Sequence, residues 1–496
     1  MQINLFSGGL NTRLGSHMID QSESVILQNV DIESGVLAPI KGLLDTTVSI
    51  NKYFYGFKTN WVSSSTNRDY IEYQNSLLWS GYGVEKPQKS NGTTNYNLGI
   101  VKPSSAPIVN SLSTIVSTSN YQYCYTYYNT NDGTESQPSV YTADAVGLAD
   151  LTLTVSSDAQ VTHKRIYRIG GNLSVMSLVA TVTNATTSYV DTLADNLIDG
   201  TVLASYNYRE AQIDMKYLVQ SNAVFFMATG SRLYFSEIGN PNYWPVLNFI
   251  TFDADITGIG VTSNGVVVFT YTKTFIVTGT SPDVFVKYLV SNDQGCINHK
   301  SIQYLKGTMV WLSTDGICSS NGSSIDVLSR DKLGKLAISV ETCAVIDDTY
   351  YVITSTGYVL VMDLRYGLKF YNLQLTAEYL AVYNDELYAY SSGKLWKCFA
   401  GTTLSMSYET GLISEGSLSN SKLYNSIYFY FIGIVEVEVY IDESLIATIE
   451  LSSISSAVRE YLVPASYQRG YTIKFSITGT GKLYEIEYKV TPRQKP

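Results

Sequence analysis

Charge is what this chain has least of. Lys, Arg, Asp and Glu make up 15% of its 496 residues, against the ~25% usual in soluble domains, so its polar surface must be built largely from Ser, Thr, Asn and Gly. The charge present sums to -10. Without a basic excess there is no footprint for coating nucleic acid, a task that needs cations to displace phosphate counterions. Histidine is nearly missing as well: His17, His163 and His299 are the three in the chain. None stands in a HExxH or HxH arrangement, which excludes a His-rich metal site on count. The five cysteines, Cys124, Cys296, Cys318, Cys343 and Cys398, form no CxxC pair and read as buried free thiols of a protein made in the cytoplasm. Long apolar runs are also absent. The best candidate for a membrane span, residues 427–441, is broken by Glu436 and Glu438 and sets Val435, Val437 and Val439 on one face, so it reads as a strand and no span is expected. The opening residues have neither the basic nor the apolar region of a signal peptide. No GxSxG, GxxxxGK[ST] or GxGxxG sits in a strand-turn-helix context.

What is abundant is strand grammar. Hydrophobic residues reach 45%, with 41 tyrosines and 36 glycines; Tyr packs on a pleated sheet and keeps a polar tip, while Gly supplies turns. The length predicts roughly two to four domains. Residues 230–330 are the most informative stretch. Arg232-Leu-Tyr-Phe-Ser-Glu237 alternates as a strand and stops at Gly239-Asn-Pro-Asn-Tyr-Trp-Pro245, where two prolines forbid helix and Trp244 anchors the turn. Ile256-Thr-Gly-Ile-Gly260, Gly265-Val-Val-Val-Phe-Thr270 and Lys273-Thr-Phe-Ile-Val-Thr-Gly279 follow, then Val284-Phe-Val-Lys-Tyr-Leu-Val290 and Gly307-Thr-Met-Val-Trp-Leu-Ser313, each β-branched or aromatic and closed by turn residues. Repeated up-and-down sheets without helices between them are the pattern of β-propeller blades.

The same rhythm returns at 343–371, four strands and a complete blade, and at 379–397, most of another. A stretch rich in Pro, Ser, Asn and Gly at 86–107 marks a boundary. Beyond it Tyr121, Tyr123, Tyr125 and Tyr127 share one face, as sheet packing and not as a platform for bases, and strands recur about every dozen residues as in a small sandwich. Between Ser329 and Val340 the spacing of Leu333, Leu336, Ala337 and Val340 predicts one short helix, weakened by Gly334. From Gly401 the strands lengthen into a separate C-terminal β-sandwich. The expected fold is therefore all-β: an N-terminal arm over 1–24, a β-propeller over 25–102 and 209–400 interrupted by an inserted sandwich over 103–208, and the C-terminal sandwich over 401–496.

The search for chemistry returns little. Cys296-Ile-Asn-His299 offers two metal ligands but no second pair, and Asp253-Ala-Asp255 is explained as well by an exposed polar alternation as by calcium. Ser313-Thr-Asp-Gly316 matches a fragment of the sialidase Asp-box, lacks the Thr-Trp that completes it, and reads as a turn. No catalytic, cofactor-binding or metal-ligating residue is assigned, no cofactor is expected, and the chain is read as not an enzyme.

The order of its phrases carries a resemblance. Phe6-Ser-Gly-Gly-Leu-Asn-Thr-Arg13, Glu33-Ser-Gly-Val-Leu37, the Tyr-x-Tyr-Thr-Tyr and Glu-Ser-Gln-Pro-Ser phrases within 123–139, Arg165-Ile-Tyr-Arg168, then Leu233 to Pro245, Ile256 to Gly260, Gln294-Gly-Cys296 and Ser313 to Ile317 together resemble the tail hub or nozzle proteins of short-tailed bacteriophages, also called packaged-DNA stabilisation proteins. The resemblance covers nearly the whole chain, and each motif is turn and strand grammar, not a reactive group. It implies that the inserted sandwich is fibronectin III-like and that the protein is a virion structural component made in the host cytoplasm. It further implies a ring, commonly a homohexamer, between portal-adaptor proteins and the distal needle, spike or fibre proteins, with genome DNA held in or passing through its lumen without sequence-specific binding. The rival readings are a host-surface-binding adhesin, using the inserted module, and a carbohydrate-active propeller, which needs convergent carboxylates.

Overall fold

The computed structural model describes residues 1–4, 6–112, 119–336, 338, 340–354, 358–365, 367–416 and 418–492. The described chain is all-β and propeller-like, with six four-stranded antiparallel units, the first five of them meanders in chain order. The first comprises Asp69–Tyr73, Ser76–Gly81, Glu85–Ser90 and Asn95–Asn97. The second is Lys216–Ser221, Val224–Thr229, Arg232–Phe235 and Phe249–Thr251, and the third Ile256–Thr262, Gly265–Thr270, Thr274–Thr278 and Val286–Ser291. The fourth is Gln303–Leu305, Thr308–Ser313, Gly316–Ser320 and Ile325–Val327, and the fifth Val340–Ile346, Thr349–Thr354, Val359–Asp363 and Lys369–Leu373. The sixth has only three local strands, Tyr379–Tyr383, Glu386–Ser391 and Lys394–Lys397. Its fourth comes from the far end of the sequence, Leu44–Ser49, which pairs antiparallel with Lys394–Lys397.

First strands of successive sheets touch one another around the chain, and the hairpin Tyr53–Phe57 and Asn60–Ser64 stands between the sixth sheet and the first, packing Tyr55 on Tyr70 at 5.5 Å between ring centroids. No sheet closes on itself, and the circuit is completed by packing. Several first hairpins turn on two residues at positive φ, the type I′ signature that matches strand twist: Gln74-Asn75, Asn222-Ala223, Asp347-Asp348 and Asn384-Asp385.

Residues 108–203 form a unit with its own core. Ile108–Leu112, Ala149–Thr152 and Ser188–Val190 make one sheet; Ala145–Val146, Asn120–Tyr128, His163–Gly170 and Leu173–Thr183 make the other. The four stripe tyrosines lie between them, none more than 6% exposed, against Leu148, Leu151, Leu153 and Ile166. On the opposite side of the same strand, Cys124 packs with Tyr167, Met176 and Leu203.

Two expectations change at the ends. The arm foreseen over 1–24 is not separate: Gln2–Ile3 pairs with the strand Lys482–Pro492, Gly9–Leu10 runs parallel to Glu23–Gln28, and Phe6 is fully buried with its ring 5.4 Å from Tyr408. An apolar residue every few positions in the opening stretch gives it a face to bury, so it does not stay free. The C-terminal strands likewise do not stand alone. Glu23–Gln28 bridges Lys369–Leu373 of the fifth sheet and Met406–Thr410, so the fifth sheet continues into a thirteen-stranded sheet that holds Lys422–Ile441, Ser444–Leu462, Ile473–Gly479 and Lys482–Pro492.

Lys422–Ile441 is one strand of 20 residues, alternating buried and exposed, the segment whose glutamates argued against a membrane span; among the described residues no helix is long and apolar enough to cross one. It bends at Gly433 (φ 83°), which faces Gly481, in the turn between Ile473–Gly479 and Lys482–Pro492, so closely that a Cβ on Gly433 would lie 2.7 Å from the Gly481 Cα. Glycine permits a corner that side chains would block. Because of it Phe475 and Tyr488, thirteen positions apart along one side of the ribbon, meet at 5.8 Å.

The predicted helix is a single turn, Arg330–Leu333, ended by Gly334 at φ 66°. Leu336 lies outside it, Val340 opens a strand, and Ala337 falls outside the described residues. Glycine at that position costs more than the short apolar spacing returns.

Candidate functional site

A buried cluster of charge joins the first, second and fourth sheets. Asp69 opens the first sheet and is 7% exposed. Its Oδ1 accepts from the Tyr82 hydroxyl at 2.9 Å and from the Lys300 ammonium at 2.6 Å, and its Oδ2 accepts from Ser80 Oγ at 3.1 Å and from the backbone N–H of Tyr217 at 3.1 Å. His299 Nε2 stands 3.5 Å from Oδ1. Tyr217 reaches the carboxylate because its strand bulges there with φ at 66°, an uncommon conformation for a residue with a Cβ. Lys300 arrives from the short 3-10 turn His299–Ser301 that precedes the fourth sheet, crosses to the first, and also donates to the carbonyl of Arg68.

Electrostatics follow from that geometry. Burial alone would raise the Asp69 carboxyl, but Lys300, His299 and the Tyr82 hydroxyl outweigh it and hold it below the ordinary carboxylate range. Burial would likewise lower Lys300, and Asp69 reverses that, leaving the ammonium raised. For His299 burial prevails over Asp69 and, with Lys300 beside it, pushes the imidazole down to about 4. The neutral ring accepts from the Ile259 N–H at Nδ1, 3.3 Å, which leaves Nε2 as the N–H facing Asp69. Beside the cluster is a cavity of about 280 Å³ lined by Arg68, Gln303, Thr342, Cys343 and Tyr379 among others. Arg68 there is held by both Glu85 oxygens.

Chemically this arrangement is a staple. The carboxylate's acceptor sites are taken by four donors from three segments, so it ties the first, second and fourth sheets together.

The other sequence candidates fall elsewhere. Cys296 and His299 do not converge: the thiol contacts the Asn298 carbonyl at 3.2 Å while the imidazole points to Asp69. All five cysteines are free and buried. Asp253 pairs with Lys273. Ser313-Thr-Asp-Gly316 closes the hairpin of the fourth sheet, with Ser313 Oγ accepting from the Asp315 N–H at 3.0 Å. Among the described residues no group of three or more His, Cys, Asp or Glu could hold a metal. Asp69, Lys300 and Tyr217 were not singled out in the sequence. A lone Asp beginning an aromatic strand and a Lys in a polar turn carry no local pattern, and only the folded circuit joins them.

A second assembly of side chains joins the inserted unit to the second sheet. The turn Gly239 to Pro245 and the loop Gly133 to Ser136, a hundred residues apart, meet: Glu135 N–H donates to the Tyr243 hydroxyl at 2.8 Å, and Asn242 Nδ2 donates to Thr134 Oγ1 at 3.1 Å. Tyr208 stacks on Tyr243 at 3.9 Å, and Trp244, fully buried, donates its indole N–H to Pro241 at 2.8 Å. The Glu135 carboxylate is itself fixed by Thr126, Tyr167 and Arg165.

No family model matches the chain, and no curated protein matches it. Among solved structures it is similar to the computationally designed Ika8 protein, at 11% identity over 79% of this chain and 100% of that one, with a TM-score of 0.33. It is similar also to BamB from Moraxella catarrhalis, at 13% identity over 60% and 97% with a TM-score of 0.28, and to YCF48 bound to D1 peptide, at 10% over 72% and 99% with a TM-score of 0.29. At these scores the likenesses carry no argument about function, which rests on the chain's own geometry.

Proposed function

We propose that this chain is a structural component of a bacteriophage tail, a hub or nozzle subunit that assembles as a ring, six copies in the sequence-based reading, below the portal-adaptor proteins. Its lumen retains packaged DNA and conducts it during ejection. The inserted unit is read as a fibronectin III-like module, three strands facing four over a tyrosine core, and the folded-over C-terminal ribbon as a β-sandwich.

One observation carries the reading: several of the phrases that carry the resemblance fall at joints between parts of the fold. Leu233 to Pro245 and Glu135 to Ser139 clamp the inserted unit to the second sheet, Phe6 packs its ring on Tyr408 of Met406–Thr410, and Cys296 leads into the Asp69–Lys300 staple. A protein whose distinctive residues hold its parts in register is suited to transmit load within a particle. Low surface charge fits this, because surfaces of Ser, Thr, Asn and Tyr can be buried against copies without stranding ions.

Electron microscopy of the purified protein, with antibody labelling of the phage particle, tests the proposal. Sixfold rings and label at the tail are expected; a protein monomeric at every concentration and absent from the tail overturns it. Reproducible glycan cleavage by the pure protein would favour the carbohydrate-active alternative instead.

A further inference from the structure

Six sheets in the circuit have four strands, and one position has two. The hairpin Tyr53–Phe57 and Asn60–Ser64 ends at Asn60–Ser64, and among the described residues no backbone bond reaches the outer edge of that strand. A bare strand edge is a template for another strand. The edge is not polar and blunted: Trp61 is half-buried there, 4.9 Å from Tyr383 and 5.0 Å from Tyr388. Its charge is of one sign, since residues 50–68 contain Lys52, Lys58 and Arg68 and no acidic residue. Arg68 is neutralised by Glu85 and Lys52 pairs with Glu341 at 3.4 Å, whereas Lys58 is exposed and donates only to the Asn91 carbonyl among the described residues.

The chain's longest bare edge has the opposite character. Ser444–Leu462 pairs on one side only, with Lys422–Ile441. Across 434–451 the ribbon carries Glu436, Glu438, Asp442, Glu443 and Glu450 and no Lys or Arg. Glu436 and Glu450 are directly opposed across the two strands, and like charges facing each other in a ladder destabilise it. None of Glu436, Glu438, Glu443 and Glu450 has a cationic partner among the described residues. Apolar residues lie beside them, with Ile434 64% and Leu445 51% exposed.

We propose that the outer edge of Asn60–Ser64 in one copy is filled by the bare edge at 444–449 of a second copy, flanked by Glu443 and Glu450, which extends the short sheet and brings Lys58 to the acidic patch of Glu436 and Glu450. The contact joins two different surfaces, so it propagates head to tail and closes when the rotation per copy divides a full turn. This inference rests on the ring reading and names the contact that makes the ring.

Sedimentation of full-length protein tests it with charge reversal. The variant Lys58→Glu, and separately Glu436→Lys with Glu450→Lys, should each weaken association at least tenfold while leaving the monomer's circular dichroism and melting temperature as in the wild type. An equimolar mixture of the two variants should recover association to within about threefold of wild type, because alternating copies restore opposite charges at every contact. Rings that form normally in either variant, or a mixture that fails to recover, overturn this contact and leave the ring reading standing. A wild-type chain that stays monomeric overturns both.

Discussion

At the scale of single residues, the Asp69–Lys300 staple is costly to break. Lys300 and Asp69 are each about a tenth exposed and bonded to each other, and removing one partner of such a pair strands the other charge, at about 3–5 kcal/mol. Lys300→Met is therefore expected to lower the unfolding free energy obtained by urea titration by that amount, and a change below about 1 kcal/mol would show that the pair does not bind the sheets together. His299 gives a pH signature. Its folded value is about 4, below the ~6.5 of an unfolded histidine, so the unfolded chain binds the extra proton first. Stability is fully present above pH ~6.5 and falls as the pH drops toward 4, by roughly 3 kcal/mol at most. His299→Gln should remove that slope, and urea midpoints at pH 7, 6, 5 and 4 measure it. Little at this scale was legible in advance. The tyrosine stripe and Trp244 announced their burial by periodicity and by size, but Asp69 and Lys300 are 231 positions apart and became a pair only through the order of the sheets.

Strands were legible one at a time, because alternation and turn residues act within a few positions. The fifth sheet and three strands of the sixth follow the sequence reading. What sequence did not disclose is how strands are shared: nothing in Leu44-Asp-Thr-Thr-Val-Ser49 names Lys394–Lys397 as its partner. The hairpin turns were also partly hidden, since Asp347-Asp348 and Asn222-Ala223 adopt positive φ without glycine. Gly433 did not announce a corner until its neighbour Gly481 was known. Gly433→Val places a Cβ within 2.7 Å of backbone at a positive φ, so a loss of at least about 3 kcal/mol is expected, read by thermal melting; unchanged melting would mean the ribbon bends elsewhere. Replacing 108–203 by a short Gly-Ser linker should leave a cooperatively folding remainder, because the unit's core is separate from that around Leu78, Phe225 and Trp244. The clamp's lost bonds should cost about 2–4 kcal/mol, and loss of a single cooperative transition would show that the two cores are one.

Across the whole molecule, the proposed ring makes a prediction about DNA. On that proposal a duplex runs through a lumen between copies, and a net charge of -10 offers few cations to exchange for counterions. The free protein is expected to bind duplex DNA weakly, with a shallow dependence on salt; tight binding with a steep slope, measured by fluorescence anisotropy between 50 and 200 mM salt, would contradict passage without grip.

The shared strands also set a timetable. Leu44–Ser49 leaves the ribosome some 350 residues before Lys394–Lys397, the strand it must join, which at 5–20 residues per second is a wait of roughly 20–70 s. Gln2–Ile3 waits longer still, for Lys482–Pro492. Local meanders such as the second and third sheets can form as they emerge, while the ends remain unpaired edges in a crowded cell. Synthesis rate, and any chaperone that shields those first fifty residues, should therefore govern the yield of native protein more than the stability of the finished fold does.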